Sequence, residues 1–420
     1  MDIKALPHRI DAAIRFFLYL LVFWLPYSPA VIESCVGISL ILWLIKRSLL
    51  KTFKPQTTTL NGPIAFFLFA CLVSLWGSFH PEQSTRGFLT KTLEWFIVYF
   101  LAVEVFTQKK HITTVLVILS ITSLATAFDG IIQYYVTGRD IFMGRIIPRE
   151  DPIARSGATA AFKHANILGA YLTFVIPLML AAVFCFSKRY MKFLAGFTVV
   201  MSLWLLLITF SRGAWLAVMG GSLLSLWMVQ RKIFFAGASV FLIIIFSGFI
   251  FLSPQTKSTL RVTTENLSNS LSYRLGLWED SWKMIQDKPA FGHGLNTFMP
   301  LFQEYRRKYL DKFDFGPTYA HNSFIQLTVE TGLVGLAGFM WILLRLFKNV
   351  IAQITQIRHN NPSKILLTSL IAGVFGFLIQ SGVDTNFYSL QPSVLFWLMA
   401  GILIAQQRLL LTEQPETKVI

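Results

Sequence analysis

The sequence predicts an all-α, polytopic integral membrane protein, and three features carry that reading. Of its 420 residues, 54% are hydrophobic and only 14% are charged, and the mean hydropathy is +0.59, far from the balance of a soluble domain. Apolar stretches of about 20 residues recur, the length a helix needs to cross a hydrocarbon core of roughly 30 Å with its backbone bonded internally. Between them, on alternate sides, lie short loops rich in lysine and arginine.

About twelve spans are expected, centred on 12–25, 31–44, 63–76, 93–105, 112–135, 167–186, 193–210, 214–229, 233–251, 324–347, 365–381 and 394–406. The first is followed by another apolar stretch and not by a small-residue cleavage site, so it reads as a retained helix. The first two are short enough to form a re-entrant pair instead. The loops "KRSLLKTFKPQTTT", "TQKKH", "SKRYMK", "QRK" and "KNVIAQITQIRHNNPSK" contain no acid. With an inside N-terminus all five fall on the cytoplasmic face.

The chain then divides into a bundle over 1–252 with an outer loop at 136–166, a large outer loop at 253–322, a second bundle at 323–406 and a cytoplasmic tail at 407–420. Long loops are functional or disordered. The 253–322 segment carries "SYRLGLWEDSWKMIQ", with Arg274, Trp278 and Trp282 at helical spacing, and "NTFMPLFQEYRRKYL". In the latter, Phe298, Leu301, Phe302 and Tyr305 form an apolar stripe opposite Glu304, Arg306 and Lys308. A helical periplasmic cap over the membrane is expected, its two helices joined by the Gly-rich turn "PAFGHGLN".

Composition excludes several functions. Cys35, Cys71 and Cys185 all fall in apolar segments, where a thiol behaves as a small hydrophobe, so neither a disulfide framework nor a zinc site follows. The formal charge of +16 is scattered through membrane loops. It points to anionic membrane lipids and not to nucleic acid.

The outer face nevertheless holds Arg86, Arg139, Arg145, Arg149, Arg155, Arg212, Arg261, Arg274, Arg306 and Arg307. Cations on translocated loops oppose the insertion bias, and an anionic substrate supplies a reason for them. For any one arginine, pairing with nearby acids or snorkelling to headgroups is the bland alternative. Arg212 stands apart, in the tight turn of "ITFSRGAWLAV", where burying an unpaired cation at the membrane rim is costly. Gly213 lets that turn close, and Ser211 can cap the next helix.

In "YAHNSFIQL" a histidine and an asparagine sit where a polar segment meets an apolar one. If Asn322 or Ser323 caps the helix that follows, His321 lies beside the positive end of its dipole, which favours neutral imidazole, a form able to act as general base toward a hydroxyl. The bland alternative is a rim histidine bonded to a neighbouring loop. His80, His164 and His293 also fall on the outer face, and composition does not choose among them.

The segments "FSRGAWLA", "YRLGLWEDSWKMIQDKPAFGHGLNTF" and above all "AHNSFIQLTVETGLVGL" resemble the O-antigen ligase family and its wider superfamily of polyprenyl-diphosphate-dependent ligases and polymerases. "ARSGATAAFKHANILGAYL" is a weaker match, to the family's segment ending in an asparagine, here Asn166. The resemblance implies a GT-C-like membrane glycosyltransferase with a periplasmic site in a Gram-negative inner membrane. It would transfer a glycan from undecaprenyl diphosphate to the lipid A-core of lipopolysaccharide. It assigns the base to His321 and diphosphate binding to Arg212 and Arg274. Asn322, Arg155, Asn166, Trp278 and Tyr319 are candidate substrate-binding residues.

The outer loops contain no Asp-x-Asp pair, so a metal-independent, cofactor-free, inverting displacement is expected, with arginines in the metal's role. An O-antigen polymerase would use the same donor chemistry. A protein-glycosylating relative fits less well, because the tail "QQRLLLTEQPETKVI" is too short for an acceptor-recognition domain. An anion transporter would place ionisable groups near the midplane. Asp129 is the best such candidate, with Glu33, Glu94 and Glu104 near span ends.

Overall fold

The computed structural model describes residues 6–146, 157–229, 254–305, 319–357 and 361–413, and among these it contains helices and no sheet. In chain order they are α1 (Leu6–Trp24), α2 (Pro29–Leu49), α3 (Asn61–Trp76), α4 (Pro81–Gly87), α5 (Leu93–Val105), α6 (Lys109–Ile132), α7 (Ala165–Cys185), α8 (Arg189–Ile208) and α9 (Arg212–Val229). There follow α10 (Pro254–Asp287), α11 (Phe298–Tyr305), α12 (Ser323–Gln356), α13 (Pro362–Ser381) and α14 (Leu390–Glu413).

Seven described helices are long and apolar enough to cross a membrane: α2, α6 with the π-helical turns that extend it to Thr137, α7, α8, α12, α13 and α14. The protein is a multi-pass membrane protein. The shorter α3 is equally apolar, while α1, α5 and α9 coincide with the other expected spans and the span at 233–251 lies outside the described residues. The first two expected spans form an antiparallel pair of 19 and 21 residues. At about 1.5 Å per residue each is roughly as long as a hydrocarbon core is thick.

Close backbone approach holds the centre of the bundle. A β-carbon on Gly221 of α9 would meet the Ala372 carbonyl of α13 at 2.6 Å, and one on Gly376 of α13 would meet the Ala217 carbonyl of α9 at 2.7 Å. Small residues that let two helices touch are how association is achieved where lipid offers no hydrophobic drive. Against this pair packs an aromatic cluster of Phe174, Phe377, Phe387, Phe396 and Trp397. At one end of the bundle Lys46 of α2 bridges Asp11 of α1 (2.6 Å) and Glu104 of α5 (2.7 Å), and Arg47 joins Glu104.

The amphipathic stripe read in 298–305 forms, but it faces inward. Phe298, Leu301 and Phe302 are buried with Leu277, Met284, Ile285, Ala320 and Val329, a second core between α10, α11 and the start of α12. That layer is locked to the bundle through a break in α12. Gly332 has φ +69° and ψ −175°, which interrupts the helix inside the apolar stretch expected to be continuous. The 289–294 turn enters the break: Leu333 and Val334 N–H donate to the Pro289 and Ala290 carbonyls (2.8 and 3.1 Å), while His293 and Gly294 N–H donate to those of Val329 and Glu330 (3.0 and 2.9 Å). Each backbone satisfies what the other's irregular geometry leaves open, as buried amides require.

The Glu330 side chain finishes the joint. Fully buried, it accepts from Asn296 N–H (2.7 Å), Gln326 Nε2 (3.3 Å) and Tyr388 OH (3.0 Å).

Candidate active site

Three helix N-termini meet at the end of the bundle that carries α10 and α11, and residues 380–386, the last turn of α13 and the loop after it, tie them together. For α7, Asn166 gives its carbonyl to Gln380 Nε2 (2.8 Å) and its Oδ1 to Ser211 Oγ (2.7 Å), the residue before α9. For α9, Gly213 lies against Val383. For α12, Asn322 is the cap the sequence suggests: its Oδ1 accepts from Phe324 and Ile325 N–H (2.9 and 3.1 Å), and its Nδ2 donates to the Gly382 carbonyl (2.8 Å). Ser323 holds the next carbonyl, that of Asp384, through N–H (3.1 Å) and Oγ (2.9 Å). N-termini carry unpaired donors and the positive ends of dipoles, so this end of the bundle favours anions.

A cavity of about 770 Å³ opens there, lined by Arg145, Lys163, His164, Asn166, Tyr319, His321, Asp384 and Tyr388 among others. His321 has φ +45°, a left-handed conformation uncommon for histidine. It turns the imidazole toward Asp384, whose Oδ1 lies 3.5 Å from His321 Nδ1. That is long for a hydrogen bond but within ion-pair reach, and catalytic contacts are often loose before substrate is bound. With Nδ1 facing the carboxylate, Nε2 is the nitrogen left for a substrate.

Burial pushes the Asp384 carboxyl up, but His321, the Thr385 N–H and the Arg274 charge outweigh it and hold it below the usual carboxylate range. A depressed value adds stability that is present above the unfolded pKa, about 4, and is lost as pH falls through the folded one. The Asp384→Asn variant is therefore expected to differ in thermal midpoint from the parent at pH 7 and to converge with it as the pH falls through the depressed folded-state pKa. A difference unchanged at low pH would contradict this ionisation.

The other sequence-predicted residues are placed as follows. Tyr319 and Asn166 line the cavity beside His321. Trp278 stands behind it, its Nε1 donating to the Ala320 carbonyl (2.9 Å). Asn322 is committed to the cap and loop contacts given above. Arg274 is half-buried on α10, close enough to Asp384 for its charge to act there. Arg212 is the first residue of α9, exposed, and stands between Ser211, which bonds Asn166, and Gly213, which lies against Val383. Arg155 lies outside the described residues.

The histidines separate cleanly. His293 is buried with Nε2 on the Met284 carbonyl (2.8 Å) and belongs to the α10–α11 layer. His80 lies at a different cleft. His164 shares the cavity with His321, and burial and the Lys163 charge push its pKa down, Asp384 opposing them. Sequence reading missed Asp384 and did not choose His164 or Arg145 from the other outer-face histidines and arginines. Asp384 bore no signal, whereas His164 and Arg145 bore only their place on the outer face. Among the described residues no three His, Cys, Asp or Glu side chains group as a metal site would need.

The histidine just before the α12 cap, with the Asp384 carboxylate beside it, opens onto a cavity that Arg145 and Lys163 line and that neither Arg212 nor Arg274 lines. Residues 197–340 match the O-antigen ligase family model. The O-antigen ligase match takes in Arg212, Arg274, His321, Glu330 and Gly332, whereas Asn166 and Asp384 fall outside it. The chain is 23% identical to an O-antigen ligase of Salmonella typhimurium over 273 residues, 62% of this chain and 63% of that one. It is 24% identical to an uncharacterised protein of Haemophilus influenzae over 401 residues, 88% of this chain and 92% of that one. The matched segment thus contains Arg212, Arg274 and His321, and Asp384, beside His321, comes from the later 382–386 segment.

Proposed function

We propose that the protein is an O-antigen ligase that moves a glycan from undecaprenyl diphosphate to the lipid A-core of lipopolysaccharide, at a site on the periplasmic face of the inner membrane. The observation that carries this is the His321–Asp384 pair opening onto a cavity lined by Arg145, Lys163 and the N-terminus of α7. His321 Nε2 takes the proton of the acceptor hydroxyl as that oxygen bonds to the anomeric carbon. The bond from that carbon to the phosphate oxygen breaks, and its electron pair leaves with the diphosphate. One displacement inverts the configuration. Arg212 and Arg274 meet the charge that develops on the departing diphosphate, where preorganised donors act most strongly.

Arg212→Ala and Arg274→Ala should each lower transfer by roughly 100- to 1000-fold and weaken donor binding as well. Both are read with purified protein and a lipid-linked donor. Activity should survive exhaustive EDTA treatment, and a loss restored by magnesium would overturn the assignment of arginine to the leaving group.

The family match suits a ligase or a polymerase, and the Salmonella relative's name is what leans toward a ligase. Deletion read on a lipopolysaccharide gel tests that choice: loss of a ligase leaves polymer on the carrier and bare core, loss of a polymerase leaves core bearing a single repeat. The transporter reading finds little support. Asp129 lies near the end of α6, where its carboxylate accepts from Ile141 N–H (2.6 Å) and pins the following loop. Glu104 is ion-paired at the opposite end of the bundle.

A further inference from the structure

A second cavity, of about 780 Å³, lies between α4 and the turn leading into α11, lined by Phe79, His80, Glu82, Gln83, Arg86, Lys91 and Asn296 together with Pro81 and Thr90. It is a built cleft. Gln83 Nε2 donates to the Asn296 carbonyl (2.7 Å), Lys91 Nζ to Asn296 Oδ1 (2.8 Å), and Lys288 reaches across to the Gly77 carbonyl (2.7 Å) with its ammonium 3.9 Å from the Phe79 ring.

The partition between this cleft and the His321 cavity is one side-chain layer thick. Lys91 lines the cleft and sits over the Tyr388 ring at 5.8 Å, and Tyr388 lines the other cavity. On its other flank the cleft adjoins the outward surface of α3 and the turns after α4, where Phe69, Leu72, Trp76 and Leu89 are exposed, Trp76 to 94%. Aromatic side chains so exposed on a membrane helix mark headgroup depth.

The lining chemistry is specific. The Arg86 side chain is exposed in the cleft and, among the described residues, makes no hydrogen bond or ion pair. With Lys91 it offers cations suited to phosphate oxygens, and His80 adds a ring N–H donor. Glu82, Gln83, Thr90 and Asn296 offer partners for hydroxyls, and Phe79 offers a flat apolar face. Such a lining suits a charged saccharide and not an acyl chain, while the apolar flank suits the lipid that would anchor one.

We infer that this cleft binds the phosphorylated sugar head of the lipid-anchored acceptor, opposite the donor across the Lys91–Tyr388 layer. The inference rests on the glycosyl-transfer reading of the His321 cavity and adds to it the place and chemistry of the acceptor. An oligosaccharide head seated here extends past Tyr388 to bring its hydroxyl to His321.

The test uses the full chain in lipid nanodiscs, with donor and acceptor concentrations varied separately. The acceptor is a lipid-anchored core oligosaccharide, supplied both phosphorylated and enzymatically dephosphorylated. Arg86→Ala and Arg86→Glu should raise the KM for the phosphorylated acceptor roughly tenfold or more, the loss of one charge-assisted contact, and leave the donor KM unchanged. With the dephosphorylated acceptor the variants and the parent should agree. An unchanged acceptor KM would overturn the inference while leaving the main site intact. A parallel rise in donor KM would also overturn it, assigning the cleft to the donor glycan. No transfer by the parent chain to any lipid-anchored saccharide would remove the main reading and this one together.

Discussion

His321→Ala should reduce transfer to background with donor binding intact, and Asp384→Asn should reduce it by roughly 100-fold or more. The base acts only in the chemical step, and positioned proton transfer contributes about 100- to 10,000-fold. Asp384 acts through it. Its Oδ1 lies 3.5 Å from Nδ1, so a carboxylate there holds the proton on Nδ1 and leaves Nε2 free to accept. An amide can present its NH₂ instead, which favours the opposite tautomer and removes the charge that stabilises the imidazolium formed in the step. The measurement is single-turnover transfer from a radiolabelled lipid-linked donor, with donor binding followed separately. Loss of donor binding equal to the loss of rate in His321→Ala would assign the imidazole to binding. His164→Ala provides the contrast: it shares the cavity but lacks the carboxylate geometry, and it should retain far more activity than His321→Ala.

Gly332→Ala should destabilise the protein by roughly 2–6 kcal/mol and abolish activity, although residue 332 lines neither cavity. Its φ of +69° with ψ −175° is a region essentially confined to glycine. A β-carbon there would stand 2.1 Å from the Ala290 carbonyl oxygen. The obstacle is backbone, so no rotamer relieves it. The facing Gly292 has φ +68°, and a β-carbon on it would lie 2.6 Å from Gly332 N. The two glycines make one joint. The magnitude combines about 1–3 kcal/mol for the conformation with a similar amount for overpacking. Thermal unfolding in detergent, followed by tryptophan fluorescence, measures it. Gly37→Ala in α2, where a β-carbon meets nothing within 4 Å, should leave the midpoint unchanged or raise it slightly. Equal midpoints for Gly332→Ala and the parent would refute the docking argument.

Local features were legible where a local cause produced them. Apolar stretches long enough to cross a bilayer became α2, α6, α7, α8, α12, α13 and α14, because in lipid a continuous apolar run has no alternative to internal hydrogen bonding. The Asn322 cap was legible because capping is an interaction with the next three residues. The stripe of Phe298, Leu301 and Phe302 announced its helix, but which surface it would cover was not legible. Membrane and protein interior are both apolar, and only the arrangement of α10 and α12 chose the interior.

Asp384 marks the limit most clearly. It lies 63 positions after His321, in "SGVDTNFYS", a segment with no periodicity, no charge run and no cap signature. Nothing local distinguishes it from any loop aspartate.

The amino-acid sequence alone determined that this chain lives in a membrane as helices, which runs of it are apolar, and that a histidine and an arginine, His321 and Arg212, stand at helix ends near the rim. Those properties follow from the chemistry of neighbours within a turn or two. Only the tertiary structure decided that the N-termini of α7, α9 and α12 converge on one loop, that Asp384 rather than another acid faces His321, and that a glycine break in α12 receives the turn before α11. Contacts between residues far apart in sequence depend on how helices cross, and helix crossing is set by close packing summed over many side chains, which no single stretch of sequence contains.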